Sequence, residues 1–176
     1  MFLYLAMIDS DADKSKFEIL YSEYKNLMYY TANRILRSSN AEDVVHQAFL
    51  KVIEILDTIS SPRCHKTRAL LVTITEHKAI DLYREKQRRN VLPLAEEYVG
   101  AAPAAEIERL AERDTLAAAI AALPPRYRSV LLLRYDCGYS NAEIANILDT
   151  TEPNVRKLIQ RAKEKLSAAL SGMEEP

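Results

Sequence analysis

Apolar positions along the chain recur mostly at steps of three and four, the spacing that gathers them on one face of an α-helix. Phe17, Leu20, Tyr21, Tyr24, Leu27, Met28, Ala32, Ile35 and Leu36 make the first stripe and predict a helix from Asp13 or Ser15 to about Arg37. Ser38-Ser39-Asn40 interrupts it, and Ser39 with Glu42 three residues on reads as a capping box for a second helix. That helix turns Val44, Val45, Ala48, Phe49, Val52, Ile53 and Leu56 inward and is expected to reach about Thr58. A loop from Ile59 to Lys66 contains Ser60-Ser61-Pro62, and a third long helix follows from about Thr67 to Arg89. The stretch Ala69–Thr75 is rich in β-branched residues. Its apolar spacing nevertheless continues through Ala79, Ile80, Leu82 and Tyr83 without a breaker, so a strand is rejected.

Asn90, Pro93, Gly100 and Pro103 punctuate residues 90–105, and helical character returns from Ala104 to Ala122. Leu123-Pro124-Pro125 sets the next helix start, because Pro fits a first turn and not an interior. This helix is expected to run to about Tyr135 and to close at Cys137-Gly138. Ser140-Asn141-Ala142-Glu143 is a second capping box and opens a short helix ending at Leu148. Asp149-Thr150-Thr151 is a tight turn, and a last helix begins around Glu152-Pro153 and reaches about Leu170. Residues 171–176 read as a frayed tail. The expectation is an all-α chain of two small helical domains, 1–90 and 106–176, joined by a flexible linker at 91–105. The second domain carries a helix-turn-helix.

Composition narrows the function. Three Gly in 176 residues leave little room for glycine cradles around phosphate. Cys64 and Cys137 are too far apart in sequence for a CxxC site or a disulfide framework, so a reducing cytoplasm is expected. Met1–Ile8 is apolar, but it carries no cation and runs straight into Asp9, Asp11 and Asp13, which is wrong for a signal peptide. No stretch approaches the length of a membrane span, so no membrane insertion is expected. Paired metal-ligand spacings, a phosphate loop and a nucleophile elbow are all missing, so neither enzyme nor cofactor nor metal is expected. The adjacent Cys64-His65 has no second pair to complete a metal site.

The net charge of −1 hides an uneven distribution. Residues 1–90 hold 14 Lys and Arg against 12 Asp and Glu, residues 91–122 hold 2 against 6, and residues 123–176 hold 8 against 7. Arg84–Arg89 carries four cations and one anion, and Asn154–Leu166 five cations and one anion. Two basic stretches flank an acidic middle. In the last helix Val155, Leu158 or Ile159, Ala162 and Leu166 form the expected buried stripe. The opposite face shows Asn154, Arg156, Lys157, Gln160, Arg161 and Lys163. Such a face suits a recognition helix, since cations hold phosphates or read guanine and amides read adenine.

The run Leu123–Tyr135, then Gly138–Ala145, then Asn154–Lys163 resembles region 4 of bacterial RNA polymerase sigma factors, in particular the extracytoplasmic-function (ECF)-like group of the sigma-70 family. Ala41-Glu42-Asp43-Val44-Val45-His46-Gln47-Ala48-Phe49-Leu50, and Ala79–Arg84 followed by Lys86-Gln87-Arg88-Arg89, resemble region 2 of the same family. The resemblance implies binding to core RNA polymerase and to promoter DNA, with an anti-sigma factor as a further partner class. It implies polymerase contact at Glu42, Asp43 and Gln47, and contact with the minus-10 element at Arg63, His65, Lys66, Arg84, Lys86, Arg88 and Arg89. The face of the last helix would meet the minus-35 element.

Simpler readings stand beside these. Glu42 complements its helix dipole, and so do the cations at 84–89, though four in six residues exceed what a helix end needs. The acidic linker, with Glu96 and Glu97, is a solvated tether or an imitation of nucleic acid inside a basic polymerase channel. The chain departs from the family pattern in four places. Leu70 stands for a Trp, Glu76-His77 for Arg-Asn, His46-Gln47 for Gln-Glu, and Asp149 for a turn Gly. The competing function is a helix-turn-helix regulator that binds duplex DNA independently of polymerase, usually as a dimer.

Overall fold

The computed structural model describes residues 1–36, 40–89 and 115–171, without the side chains of Phe2, Arg88 and Arg89. The expected linker at 91–105, with Glu96 and Glu97, and the helical stretch at 104–114 lie outside the described residues. Among the described residues every regular element is helical. The chain divides into two compact units, with the described parts at 1–89 and 115–171.

In the first unit α1 spans Phe2–Leu5, α2 Asp11–Leu36, α3 Ala41–Glu54 and α4 His65–Arg89. The three long helices pack pairwise on one another. Their shared core holds Phe17, Leu20 and Met28 of α2, Phe49 and Val52 of α3, and Leu70, Leu71 and Ile74 of α4, all at most 1% exposed. Each such side chain, removed from water, contributes about 1.5–3 kcal/mol against the entropy of ordering.

The apolar N-terminus belongs to this core. Tyr4 and Ile8 are buried, and the Tyr4 ring lies 5.4 Å from Phe17 and 5.8 Å from Phe49 between centroids. The Tyr4 hydroxyl pairs with His46 Nδ1 at 2.6 Å.

Several boundaries differ from the expectation. α2 starts at Asp11, where Ser10 offers its hydroxyl to the Asp13 N–H and its carbonyl to Lys14. Asn40 directly precedes α3, and its side chain does not cap that end. Ser39 lies outside the described residues. The Asn40 Oδ1 instead accepts from Lys86 Nζ at 2.5 Å, tying the entry of α3 to the end of α4. α3 stops at Glu54, and Leu56–Thr58 tightens into a 3₁₀ turn whose Thr58 hydroxyl donates to the Ile55 carbonyl. α4 begins two residues before Thr67, because Cys64 caps it. The Thr67 N–H meets the Cys64 sulfur at 3.4 Å, and the Arg68 N–H donates to the Cys64 carbonyl.

In the second unit α5 spans Thr115–Ala122, α6 Pro125–Leu131, α7 Asn141–Ile147 and α8 Glu152–Ser171. Pro125 opens α6 in the first-turn position. The α-helix ends at Leu131 rather than Tyr135, and Leu132–Asp136 continues as a π-helical turn. The extra residue carries Leu133 into the core and leaves Tyr135 at 60% exposure. Gly138 follows at φ +83°. Ser140 and Glu143 close the expected capping box, with the Glu143 N–H donating to the Ser140 hydroxyl and the Ser140 N–H to the Glu143 carboxylate at 2.7 Å. The Ser140 hydroxyl and backbone N–H, acting on the Glu143 carboxyl, hold it below its ordinary range. Asp149 takes the left-handed turn at φ 48°, a conformation its short polar side chain tolerates. Val155 and Ala162 of α8 are fully buried, with Leu158, Ile159 and Leu166 half-buried beside them.

Candidate nucleic-acid interface

The outward face of α8 follows from its buried stripe. With Val155 and Ala162 turned into the core, Asn154, Arg156, Lys157, Gln160, Arg161 and Lys163 are all exposed. The unit thus brings together every residue expected on this face. Three of them rest on neighbours one turn away. Asn154 Nδ2 donates to Thr150 Oγ1 at 2.9 Å, Arg156 to Glu152 at 2.5 Å, and Gln160 Nε2 to Glu164 at 3.1 Å.

Beside this face lies a concavity of about 340 Å³ lined by Arg134, Tyr135, Asn141, Arg156, Ile159, Gln160 and Lys163. Lys163 Nζ sits 5.3 Å from the centroid of the Tyr135 ring. Arg134 donates to the Tyr139 carbonyl at 3.0 Å, which fixes the segment between the π turn and α7. Sequence reasoning missed Arg134 and Tyr135. Regular helical spacing does not reveal a π turn, and only that turn's register explains why Tyr135 faces outward. The concavity is wide, cationic and beside the outward face of α8, so it suits a phosphate group.

In the first unit the expected minus-10 residues occupy two places. Arg63, His65 and Lys66 are exposed around the start of α4. Arg63 donates to Glu23 at 3.0 Å, and the Tyr24 hydroxyl donates to the Pro62 carbonyl, so α2 holds this loop. The Thr67 hydroxyl and N–H lower the pKa of the Cys64 thiol within it. Arg84 and Lys86 lie near the other end of α4, where Lys86 is engaged with Asn40. The side chains of Arg88 and Arg89 lie outside the described residues.

Glu42, Asp43 and Gln47 are exposed on one side of α3. Glu42 also rims a pocket of about 280 Å³ with Tyr4, Tyr21, Lys25, Tyr29 and His46. Among the described residues no group of three His, Cys, Asp or Glu is placed to hold a metal ion.

Sequence profiles of two regions match the chain, Sigma-70 region 2 at residues 20–89 and Sigma-70 region 4 at residues 113–166. The chain belongs to the sigma-70 family. It is of the ECF-like group. The ECF RNA polymerase sigma factor SigL of Mycobacterium tuberculosis is 26% identical over 162 residues, which cover 90% of this chain and 91% of SigL. The ECF RNA polymerase sigma factor SigW of Bacillus subtilis is 27% identical over 171 residues, covering 90% of each. Among solved structures, CnrH in complex with the cytosolic domain of CnrY is 27% identical over 89% of this chain and 88% of that one, with a TM-score of 0.39.

As a sigma-70 family protein the chain solves its departures from the pattern locally. Leu70, at the Trp position, is 1% exposed and fills the region 2 core. Glu76 is buried and accepts from Arg34 of α2 at 3.5 Å, so a cation still stands beside this position. His77, at the Asn position, has its Nε2 buried without a hydrogen-bond partner. Burial, helped by the Arg84 charge, lowers its pKa to about 4.

Proposed function

We propose that this sigma factor binds core RNA polymerase through region 2 and selects promoters through both regions, region 2 at the minus-10 element and region 4 at the minus-35 element. One observation carries the reading. Both regions occur in one chain in family order, and region 4 ends in a capped helix-turn-helix whose outward face is cationic. In that geometry α7 crosses the DNA backbone and α8 enters the major groove. Arg156, Lys157, Gln160 and Arg161 are assigned to base edges and nearby phosphates, and Asn154 and Lys163 to the flanks. Arg63, His65 and Lys66, with Arg84, Lys86, Arg88 and Arg89, are assigned to the minus-10 region. The stretch 91–105 is the tether between the two DNA contacts. The polymerase supplies the chemistry, and this chain contributes recognition.

The exposed side of α3 supports polymerase contact at Glu42, Asp43 and Gln47, because two adjacent carboxylates there are left in water rather than in the core. Capture of purified bacterial core polymerase by the full chain tests this, with Asp43→Arg as the charge-reversed control. Binding by the wild type and its loss in the variant are expected. No capture, together with tight duplex binding by the chain alone, would overturn the sigma reading in favour of a polymerase-independent regulator.

A further inference from the structure

Two side chains on the reading face of α8 are held by carboxylates of the same helix. Arg156 donates to Glu152 and Gln160 donates to Glu164, each pair four residues apart. Arg156 and Glu152 are 64% and 41% exposed, so the ion pair adds little to folding stability. The two carboxylates nevertheless sit on a surface of five cations between 154 and 166 that approaches a polyanion. A negative charge there opposes DNA binding unless it discriminates.

Resting on the region 4 assignment, we propose that Glu152 and Glu164 are specificity-determining residues of this sigma factor. Each carboxylate is a competitor that the correct base edge must displace. A guanine offers O6 and N7 to the Arg156 guanidinium and replaces Glu152 as its acceptor. At a wrong base nothing replaces it, so Arg156 stays on Glu152 and the carboxylate is left against phosphate. Gln160, with an amide N–H on Glu164, keeps its carbonyl oxygen as an acceptor. That oxygen accepts from the N6 amino group of adenine or the N4 amino group of cytosine. Two-point pairing with adenine also needs an amide N–H aimed at N7, and Glu164 competes for that amide group. Both carboxylates thus lower affinity for random DNA more than for the cognate site.

The test measures binding of the full chain to random-sequence duplex across a salt series, for the wild type, Glu152→Gln, Glu164→Gln and the double variant. Selection from a randomised duplex pool by the polymerase-bound protein accompanies it. Each neutralisation is expected to tighten random-duplex binding about threefold or more, and to steepen the salt dependence by up to about one unit. The pool selected by the double variant should be less restricted in sequence. A gain in binding cannot come from a misfolded helix. Random-duplex binding that is unchanged or weaker in the double variant, with helicity intact, overturns the proposal. The Arg156→Ala/Arg161→Ala variant separates the two levels. If it binds random duplex as well as the wild type does, the assignment of α8 to DNA fails. If it loses binding while the glutamate variants gain none, only the role of the carboxylates fails.

Discussion

His77 and Ser129 are polar groups whose buried atoms lack partners, and they have opposite consequences. His77 titrates at about 4 in the folded protein, against 6.5 for an unperturbed side chain. Between those values the unfolded chain binds more protons than the folded one. Its contribution to stability is therefore complete above pH 6.5 and is lost as the pH falls towards 4. The whole shift corresponds to about 3 kcal/mol. His77→Asn, the family's residue, should flatten the urea midpoint across that window, and an unchanged slope would place the titration elsewhere. Ser129 of α6 is 1% exposed and its hydroxyl has no hydrogen-bond partner. A buried hydroxyl without a partner costs about 1–3 kcal/mol, and alanine is also the better helix former. Ser129→Ala is expected to raise stability by about 1 kcal/mol in urea denaturation. A loss of that size would show that the hydroxyl is satisfied in solution.

Elements were legible in the sequence wherever one local signal agreed with the packing. The stripes of α2 and α4, the Pro125 start, the Ser140–Glu143 box and the turn at Asp149 all act within a few residues, and each is seen in the structure. The exposed face of α8 was legible for the same reason, since Val155 and Ala162 fix it. What sequence spacing did not reveal depends on distant partners. Asn40 reaches Lys86 instead of capping α3, Cys64 caps α4 so that it starts at His65 rather than Thr67, and the π turn exposes Tyr135.

The clearest case is α1, too short to carry a periodic signal. It is held by the aromatic cluster around Tyr4 and by the bond to His46, and burial raises the pKa of the Tyr4 phenol. Tyr4→Phe should cost about 1 kcal/mol by removing that bond. Tyr4→Ala should cost about 3–4 kcal/mol by emptying its place against Phe17 and Phe49. A cost below about 1 kcal/mol for the alanine variant would mean that α1 does not dock in solution.

At the scale of the molecule the near-zero net charge matters most. A chain with a formal charge of −1 has only a weak general attraction for DNA, so its two basic stretches bind tightly only when something brings them to adjacent sites. In the proposed function core polymerase does this for both units at once, and the covalent connection keeps the second unit at high local concentration once the first is engaged. Each described part has its own buried core, Phe17, Phe49 and Leu71 in the first and Val130, Leu133 and Ile144 in the second. The fragments 1–90 and 106–176 should therefore each keep their helicity when made separately, the shorter with the smaller stability margin. Mixed with core polymerase, the two fragments should support promoter binding about 100-fold or more weaker than the intact chain, because tethering at short range supplies an effective concentration that free fragments lack. Far-UV circular dichroism of each fragment and promoter-binding titrations with core polymerase measure these two expectations. A second fragment without helical structure would show that its core depends on the first. Undiminished promoter binding by the mixture would show that polymerase, rather than the connection at 91–105, holds the two units in register.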